Sequence, residues 1–250
     1  MSQLQRLVIA PSQLQDKQIL LTTQQQHYLS RVLRLREGDR FIAMDGQGQC
    51  WLAVLAHSKA QILEIISVQT ELPVSIILLV ALPKGNGFDE VVRCCTELGA
   101  SCIVPVISDR TLLHPSPQKL ERWRRIAIEA AEQSERQIVP TILDTQTFVA
   151  ALSSNFSNTL PVDNKKYICV ARGDSLRLID CLQGKGQITK DKGQITIVIA
   201  TGPEGGWTET EVECAIAAGF QLVSLGRRIL RAVTAPVVAL SQATAVFEGE

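Results

Sequence analysis

From residue 74 onward the chain alternates short, almost uninterrupted apolar runs with stretches of helical periodicity, and few architectures accept that pattern. The runs lie at 74–82, 102–107, 166–171, 195–201 and 221–225. Strands apolar at successive positions must be covered on both faces, as parallel strands between helical layers are. Phe88, Val91, Val92, Cys95 and Leu98 recur at helical spacing, and Gly99 stops that helix. Ser116-Pro117 opens a second helix, with proline in its first turn, running to about Gln133. Thr208-Glu209-Thr210-Glu211 is a capping box, and Gly219 ends the helix it starts. A last helix runs from near Pro236 to Phe247. This alternation predicts an α/β domain over 73–250 with a mostly parallel sheet.

Residues 1–72 read differently. Short turn-bounded strands are predicted at 6–10, 40–45, 50–57 and 61–68, interrupted by one helical stretch at 23–33. Asp45-Gly46-Gln47-Gly48 is a hairpin signal, and Pro73 marks the boundary. The expectation is a small closed or nearly closed β-barrel. Two polar stretches, 153–165 and 184–194, read as surface loops.

Charge and composition exclude several classes. Twenty-five basic residues balance 25 acidic ones, which rules out a polybasic chain that attracts nucleic acid over its whole surface. The longest apolar runs, 76–82 and 195–200, are far short of the ~20 residues a membrane-spanning helix needs. The opening MSQLQRLVIAPSQLQ lacks a long apolar h-region, so a cytoplasmic protein is expected. Seven cysteines, with no CxxC, predict buried thiols in a reducing compartment. His27, His57 and His114 are scattered without metal-ligand spacing, so no metal is expected. There is no hydrolase elbow and no phosphate loop of the NTPase type.

Three segments could carry chemistry, each at a strand's carboxyl end, where open α/β sheets bind ligands. Lys84-Gly85-Asn86-Gly87-Phe88-Asp89-Glu90 starts like a dinucleotide fingerprint, but Glu90 replaces the third glycine and brings carboxylates to a helix start. Its plainer reading is a turn with Asp89 and Glu90 offsetting the helix dipole. Thr201-Gly202-Pro203-Glu204-Gly205-Gly206-Trp207 is a tight loop whose glycines allow close backbone approach to a ligand. In 225–236 three arginines, Arg227, Arg228 and Arg231, fall between a strand and a helix, and guanidinium forks suit oxyanions. Further basic residues cluster at His27, Arg31, Arg34, Arg36 and Arg40, and at Arg122, Arg124, Arg125 and Arg136. Clustering points to RNA or phosphate, and a solvated helix face is the alternative for any single one.

Together these segments resemble one family along essentially the whole chain: Arg6, HYLSRVLR at 27–34, KGNGFDEVVRCCTELG at 84–99, WRRIAIEAAEQSER at 123–136, GPEGG at 202–206 and LGRRILR at 225–231. They resemble the bacterial 16S ribosomal RNA uridine-N3 methyltransferases, of the SPOUT class of trefoil-knotted enzymes. The resemblance implies a PUA-like β-barrel at 1–72 that holds RNA, and a methyltransferase domain at 73–250 with a C-terminal knot. It implies a homodimer, with 16S rRNA or the small ribosomal subunit as partner, methylated at N3 of a uridine in the decoding region. S-adenosylmethionine would lie among three loops, on Ala171, on Thr201, Gly202, Pro203, Glu204, Gly205 and Gly206, and on Leu225, Gly226, Ile229 and Leu230. Arg231 would be the cation near the uracil oxygens or the holder of a phosphate, and Glu204 either a base or a cap for backbone N–H groups of its own loop. Arg6, His27, Arg31, Arg34 and Lys84 would grip RNA. One departure is visible: where the family commonly reads L-R-T-E-T-A, this chain has Leu230-Arg231-Ala232-Val233-Thr234-Ala235, with Val233 at the carboxylate position. Rival readings are a SPOUT enzyme acting on another RNA atom such as a ribose 2′-hydroxyl, a non-catalytic RNA-binding protein, and a dinucleotide-dependent oxidoreductase resting on GNGFDE alone.

Overall fold

The computed structural model describes residues 4–153, 164–183 and 195–248. The chain folds into two compact units: Met1–Glu71 with Ile128–Val139, and Leu72–Ala127 with Pro140–Glu250.

The first unit carries one six-stranded sheet. Its strands are β1 (Arg6–Val8), β2 (Leu14–Gln15), β3 (Gln18–Leu20), β4 (Arg40–Met44), β5 (Cys50–Ala56) and β6 (Lys59–Ile66), in the order β1-β4-β5-β6-β3-β2. Only the β1–β4 ladder is parallel. Alternation along the strands sends Leu7, Ile9, Ile19, Phe41, Ala43, Ala53 and Leu55 into one core, joined by Leu29. Each large aliphatic side chain so buried contributes about 1.5–3 kcal/mol. Leu29 comes from the predicted helical stretch, which is a short helix α1 (Thr23–His27) continued by a π-turn over Tyr28–Val32. The Leu33 N–H bonds the Tyr28 carbonyl five residues back. The β2–β3 hairpin had no prediction. Its strands are two and three residues long, and Asp16 turns it with a left-handed φ of 53°.

Residues 128–139 fasten this unit from the far side of the sequence. Glu132 accepts the Val8 N–H at 2.7 Å. Glu135 pairs with Arg6 at 2.7 Å. Arg136, 4% exposed, is bound at Nη2 by Glu71 at 2.6 Å, and the same carboxylate takes the N–H groups of Gln137 and Ile138.

In the second unit every paired ladder among the described residues is parallel. The strands are β7 (Ser75–Ala81), β8 (Cys102–Ile107), β9 (Thr141–Ile142), β10 (Gln146–Thr147), β11 (Asn164–Cys169), β12 (Leu176–Arg177), β13 (Thr196–Thr201) and β14 (Gln221–Ser224). The order is β10-β8-β7-β13-β11-β14-β12, with β9 also on β8. All six residues of β13 are buried, as the apolar run 195–201 requires. The helices are α2 (Gly87–Glu97), α3 (Pro117–Gln133, which from Ile128 onward belongs to the first unit), α4 (Phe148–Ser153), α5 (Leu178–Gln183), α6 (Glu209–Ala217) and α7 (Thr234–Phe247). Phe88, Val91, Val92 and Cys95 are the buried face of α2, as their spacing predicts. Phe88 packs on the fully buried Trp123 of α3 at 4.4 Å between ring centroids. The Thr208 side chain accepts from Glu211 N, so α6 starts at the predicted capping box. The stretch 184–194 and most of 153–165 lie outside the described residues.

Candidate functional site

Three neighbouring strands, β13, β11 and β14 in that order, end on one side of the sheet, and the loops that follow them surround a cavity of about 670 Å³. That is the size of a small-molecule site. The loop after β11 brings Val170, Ala171 and Arg172; the loop after β13 brings residues 202–207; the loop after β14 brings Leu225, Gly226, Arg228, Ile229 and Leu230. Ala232 and Ala235 close the wall at the start of α7. Gly206 and Gly226 have left-handed φ values of 71° and 127°, and a Cβ on either would meet nothing within 4 Å. The glycines thus leave open space against bare backbone.

The loop after β13 is held from several directions. Glu204 accepts the Lys84 N–H at 3.0 Å. Arg110, from the turn after β8, donates to the Gly205 carbonyl and at 3.5 Å to that of Trp207. Asp109 accepts from the Thr208 hydroxyl at 3.0 Å. The Trp207 indole N–H donates to the Cys169 carbonyl at 3.2 Å. Cys169 also lines the cavity, and burial pushes its thiol up to about 12, so it presents no thiolate.

The structure brings together Ala171, Gly202, Pro203, Glu204, Gly205, Gly206, Leu225, Gly226, Ile229 and Leu230 around this one cavity. Thr201 is fully buried one residue short of it, with an unpaired hydroxyl. Arg231 is exposed between the lining residues Leu230 and Ala232 and is not itself part of the wall. Val233 turns its side chain to α2, where a Cβ on Gly87 would lie 2.5 Å from Val233 Cγ1. Arg110 and Arg172 are wall residues outside the motifs read from the sequence, and Trp207 and Glu209 fall within those motifs without a binding role assigned to them. Each stands next to a strand end or the glycine loop, which is the signal that could have found them.

The basic clusters separate into free and committed groups. His27, Arg31, Arg34 and Arg36 are exposed, and so is Lys84. The Arg6 side chain, expected to grip RNA, is only 8% exposed and is bound to Glu135, so a phosphate would have to compete with that carboxylate for it. Arg122 pairs with Asp89 at 2.8 Å, and Arg124 with Asp144 at 2.9 Å. Asp89 also accepts the Trp123 indole N–H at 3.0 Å, so one of the two carboxylates at the start of α2 has a structural duty. Among the described residues no group of three or more His, Cys, Asp or Glu could hold a metal.

Residues 70–244 match the RNA methyltransferase domain family, and 21–66 match the RNA methyltransferase PUA domain. The chain is 50% identical over 247 residues to ribosomal RNA small subunit methyltransferase E of Synechocystis sp., covering 97% of this chain and 78% of that one. The chain belongs to the ribosomal RNA small subunit methyltransferase E family. The Bacillus subtilis member is 31% identical over 230 residues, covering 88% of this chain and 87% of that one. A methyltransferase E from Neisseria gonorrhoeae, crystallised with S-adenosylmethionine, superposes with a TM-score of 0.83 at 32% identity and 98% coverage of both chains. Fold class follows from family and topology alike: a PUA-like unit precedes an α/β methyltransferase domain on a parallel sheet.

Proposed function

We propose that the chain methylates N3 of a uridine in 16S ribosomal RNA, with S-adenosylmethionine as methyl donor bound among the loops after β11, β13 and β14. The observation that carries this is the cavity of about 670 Å³ at those strand ends, in a family whose Neisseria member is crystallised with that cofactor. The lining suits it. Val170, Leu225, Ile229, Leu230 and Ala235 offer apolar surface for a base and ribose, and Arg172, Arg228, Glu204 and Glu209 offer charge for a zwitterionic amino-acid end. When bound, the cofactor supplies an electrophilic sulfonium methyl group.

The residues of the chain then have three tasks. The first is alignment: holding the attacking nitrogen near the methyl carbon supplies several kcal/mol. The glycine loop and its ties to Lys84, Arg110 and Cys169 serve this task. The second concerns the N3 proton, which must leave as nitrogen attacks. A cation beside the uracil oxygens stabilises the N3 anion and eases that loss. Arg231, exposed between two wall residues, is assigned this part. Glu204 is assigned to hold the loop, since its Oε1 accepts the Lys84 N–H. It caps an N–H of another loop, not of its own. The third task is RNA grip. N3 lies on the Watson–Crick edge, so the base must be unpaired or extruded. His27, Arg31 and Arg34, exposed on and after the π-turn, are assigned to the RNA backbone, with Lys84 in the second unit.

A homodimer working in the cytoplasm completes the reading. Helix α7, TAPVVALSQATAVF, is apolar nearly all round, yet Val237, Val238 and Val246 are only half-buried within one chain. No helix among the described residues is long and apolar enough to cross a membrane.

Methyl transfer tests the proposal. Protein, labelled S-adenosylmethionine and small ribosomal subunits from cells lacking the enzyme are mixed, and the rRNA is digested to nucleosides. Label is expected in 3-methyluridine. Label in a 2′-O-methylated nucleoside would overturn the target atom.

A further inference from the structure

We propose that Trp207 is a positioning residue for the methyl donor, an indole clamp that fixes the glycine loop against the end of β11 and so sets the affinity of the cavity. The proposal rests on the assignment of that cavity to S-adenosylmethionine.

The β11–β13 ladder ends at the pair Ile168 and Ala200. One residue further on, the two chains part to make the wall. There the Cys169 carbonyl takes the Trp207 indole N–H at 3.2 Å. The clamp therefore replaces a backbone bond at the place where the sheet opens.

The indole is fixed in every direction that matters to the loop. Its plane is set by stacking on Phe148 of α4, with centroids 4.2 Å apart and an interplanar angle of 24°. Its rotation within that plane is set by the bond to Cys169. Its approach to the loop is set by Gly202, where a Cβ would lie 3.2 Å from two ring atoms. Its own carbonyl is held by Arg110. Trp207 also faces the cavity, whereas Trp51 and Trp123 do not line it.

Two consequences follow from this placement. Loosening the clamp costs binding of the donor more than it costs the chemical step, since the indole touches the loop and not the reacting nitrogen. Trp207 should also report occupancy of the cavity by its emission.

The test uses the full-length protein and S-adenosylhomocysteine as probe. W207F keeps a ring to stack on Phe148 and loses the N–H. One neutral hydrogen bond is worth about fivefold in affinity. Calorimetry is therefore expected to give a Kd about fivefold higher for W207F. The KM for S-adenosylmethionine should rise alike, with kcat within about twofold of wild type. Ligand-induced change in tryptophan emission should be present in wild type and lost in W207F. G202A, which pushes a methyl onto the indole, should weaken binding in the same way and stands in should W207F fold poorly. An unchanged Kd in W207F, a fall in kcat and thermal stability at constant KM, or an emission change that persists in W207F would each overturn the proposal. Absence of any binding by wild type would instead overturn the assignment of the cavity, and the clamp with it.

Discussion

The Glu204 carboxylate accepts the backbone N–H of Lys84 at 3.0 Å, joining the loops that follow two adjacent strands, β13 and β7. A glutamate in a methyltransferase cavity invites assignment as a base, and this bond gives it another occupation. The two roles separate under substitution. In E204Q the amide oxygen still accepts from Lys84, so kcat/KM should stay within about threefold of wild type. E204A releases the loop and should lose about five- to tenfold, the worth of an exposed hydrogen bond of about 1–1.4 kcal/mol. A loss beyond about 100-fold in E204Q, measured by methyl transfer to small subunits, is what removal of a general base would give.

Glu71 is the acceptor hub of the first unit, binding the 4%-exposed Arg136 and the N–H groups of Gln137 and Ile138. Removing one partner of an enclosed pair strands the other charge. E71A should therefore destabilise the protein by about 3–5 kcal/mol. Urea denaturation followed by circular dichroism checks this. A cost under about 1 kcal/mol would mean that water reaches Arg136.

Glu132 ties helix α3 to β1 and is largely buried. Burial, with a smaller push from Glu129, raises its carboxyl to about 7 from 4.5, against the bond from the Val8 N–H. The sign follows from proton counting. Between those two values the folded protein keeps a proton that the unfolded chain releases, so this group's contribution to stability is whole below pH 4.5 and is lost as pH rises to about 7. E132Q keeps an acceptor for Val8 and has nothing to ionise. It should be more stable than wild type at pH 8, by up to about 3 kcal/mol. The difference should vanish near pH 4. Denaturant midpoints at the two pH values give the answer, and equal midpoints at pH 8 would contradict the buried, proton-holding carboxyl.

Arg31 and Arg34 are exposed and Arg6 is enclosed, so the three arginines should part company when mutated. R31A/R34A should lower the slope of log K against log salt for 16S rRNA by about 1.5 and leave S-adenosylhomocysteine affinity unchanged. R6A should lower the thermal midpoint and change the salt slope little. Filter binding across a salt series, with calorimetry and thermal melts on the same samples, separates these effects.

What could be read in advance was what local pattern encodes. The apolar runs became β7, β8, β11, β13 and β14, of which β7, β8 and β13 are apolar almost throughout while β11 and β14 open on polar residues. Gly202, Gly205 and Gly206 mark in the sequence a loop that lines the cavity. Strands of two residues, such as β9, β10 and β12, carry no period and went unseen. The six-residue helices α4 and α5 are too short for one. The ties that decide individual roles were also hidden, because they join distant positions: Arg6 to Glu135, Glu204 to Lys84, Trp207 to Cys169. The resemblance gives Arg6 as an RNA contact, and its partner, 129 residues away, leaves no local signal against that. Val233 stands where the family resemblance leads one to expect a carboxylate, and it fills the space above Gly87 as a hydrocarbon.

The membership of Ile128–Val139 in the first unit bears on how this protein can be divided. A gene fragment stopped after residue 72 would encode every strand of that unit and none of its fasteners. Val8 would lose its acceptor, Arg6 its counter-ion, and Glu71 the arginine it encloses. Recombination that trades self-sufficient modules between genes therefore has no clean cut here. A laboratory transplant of residues 1–72 should succeed only if 128–139 travels with it.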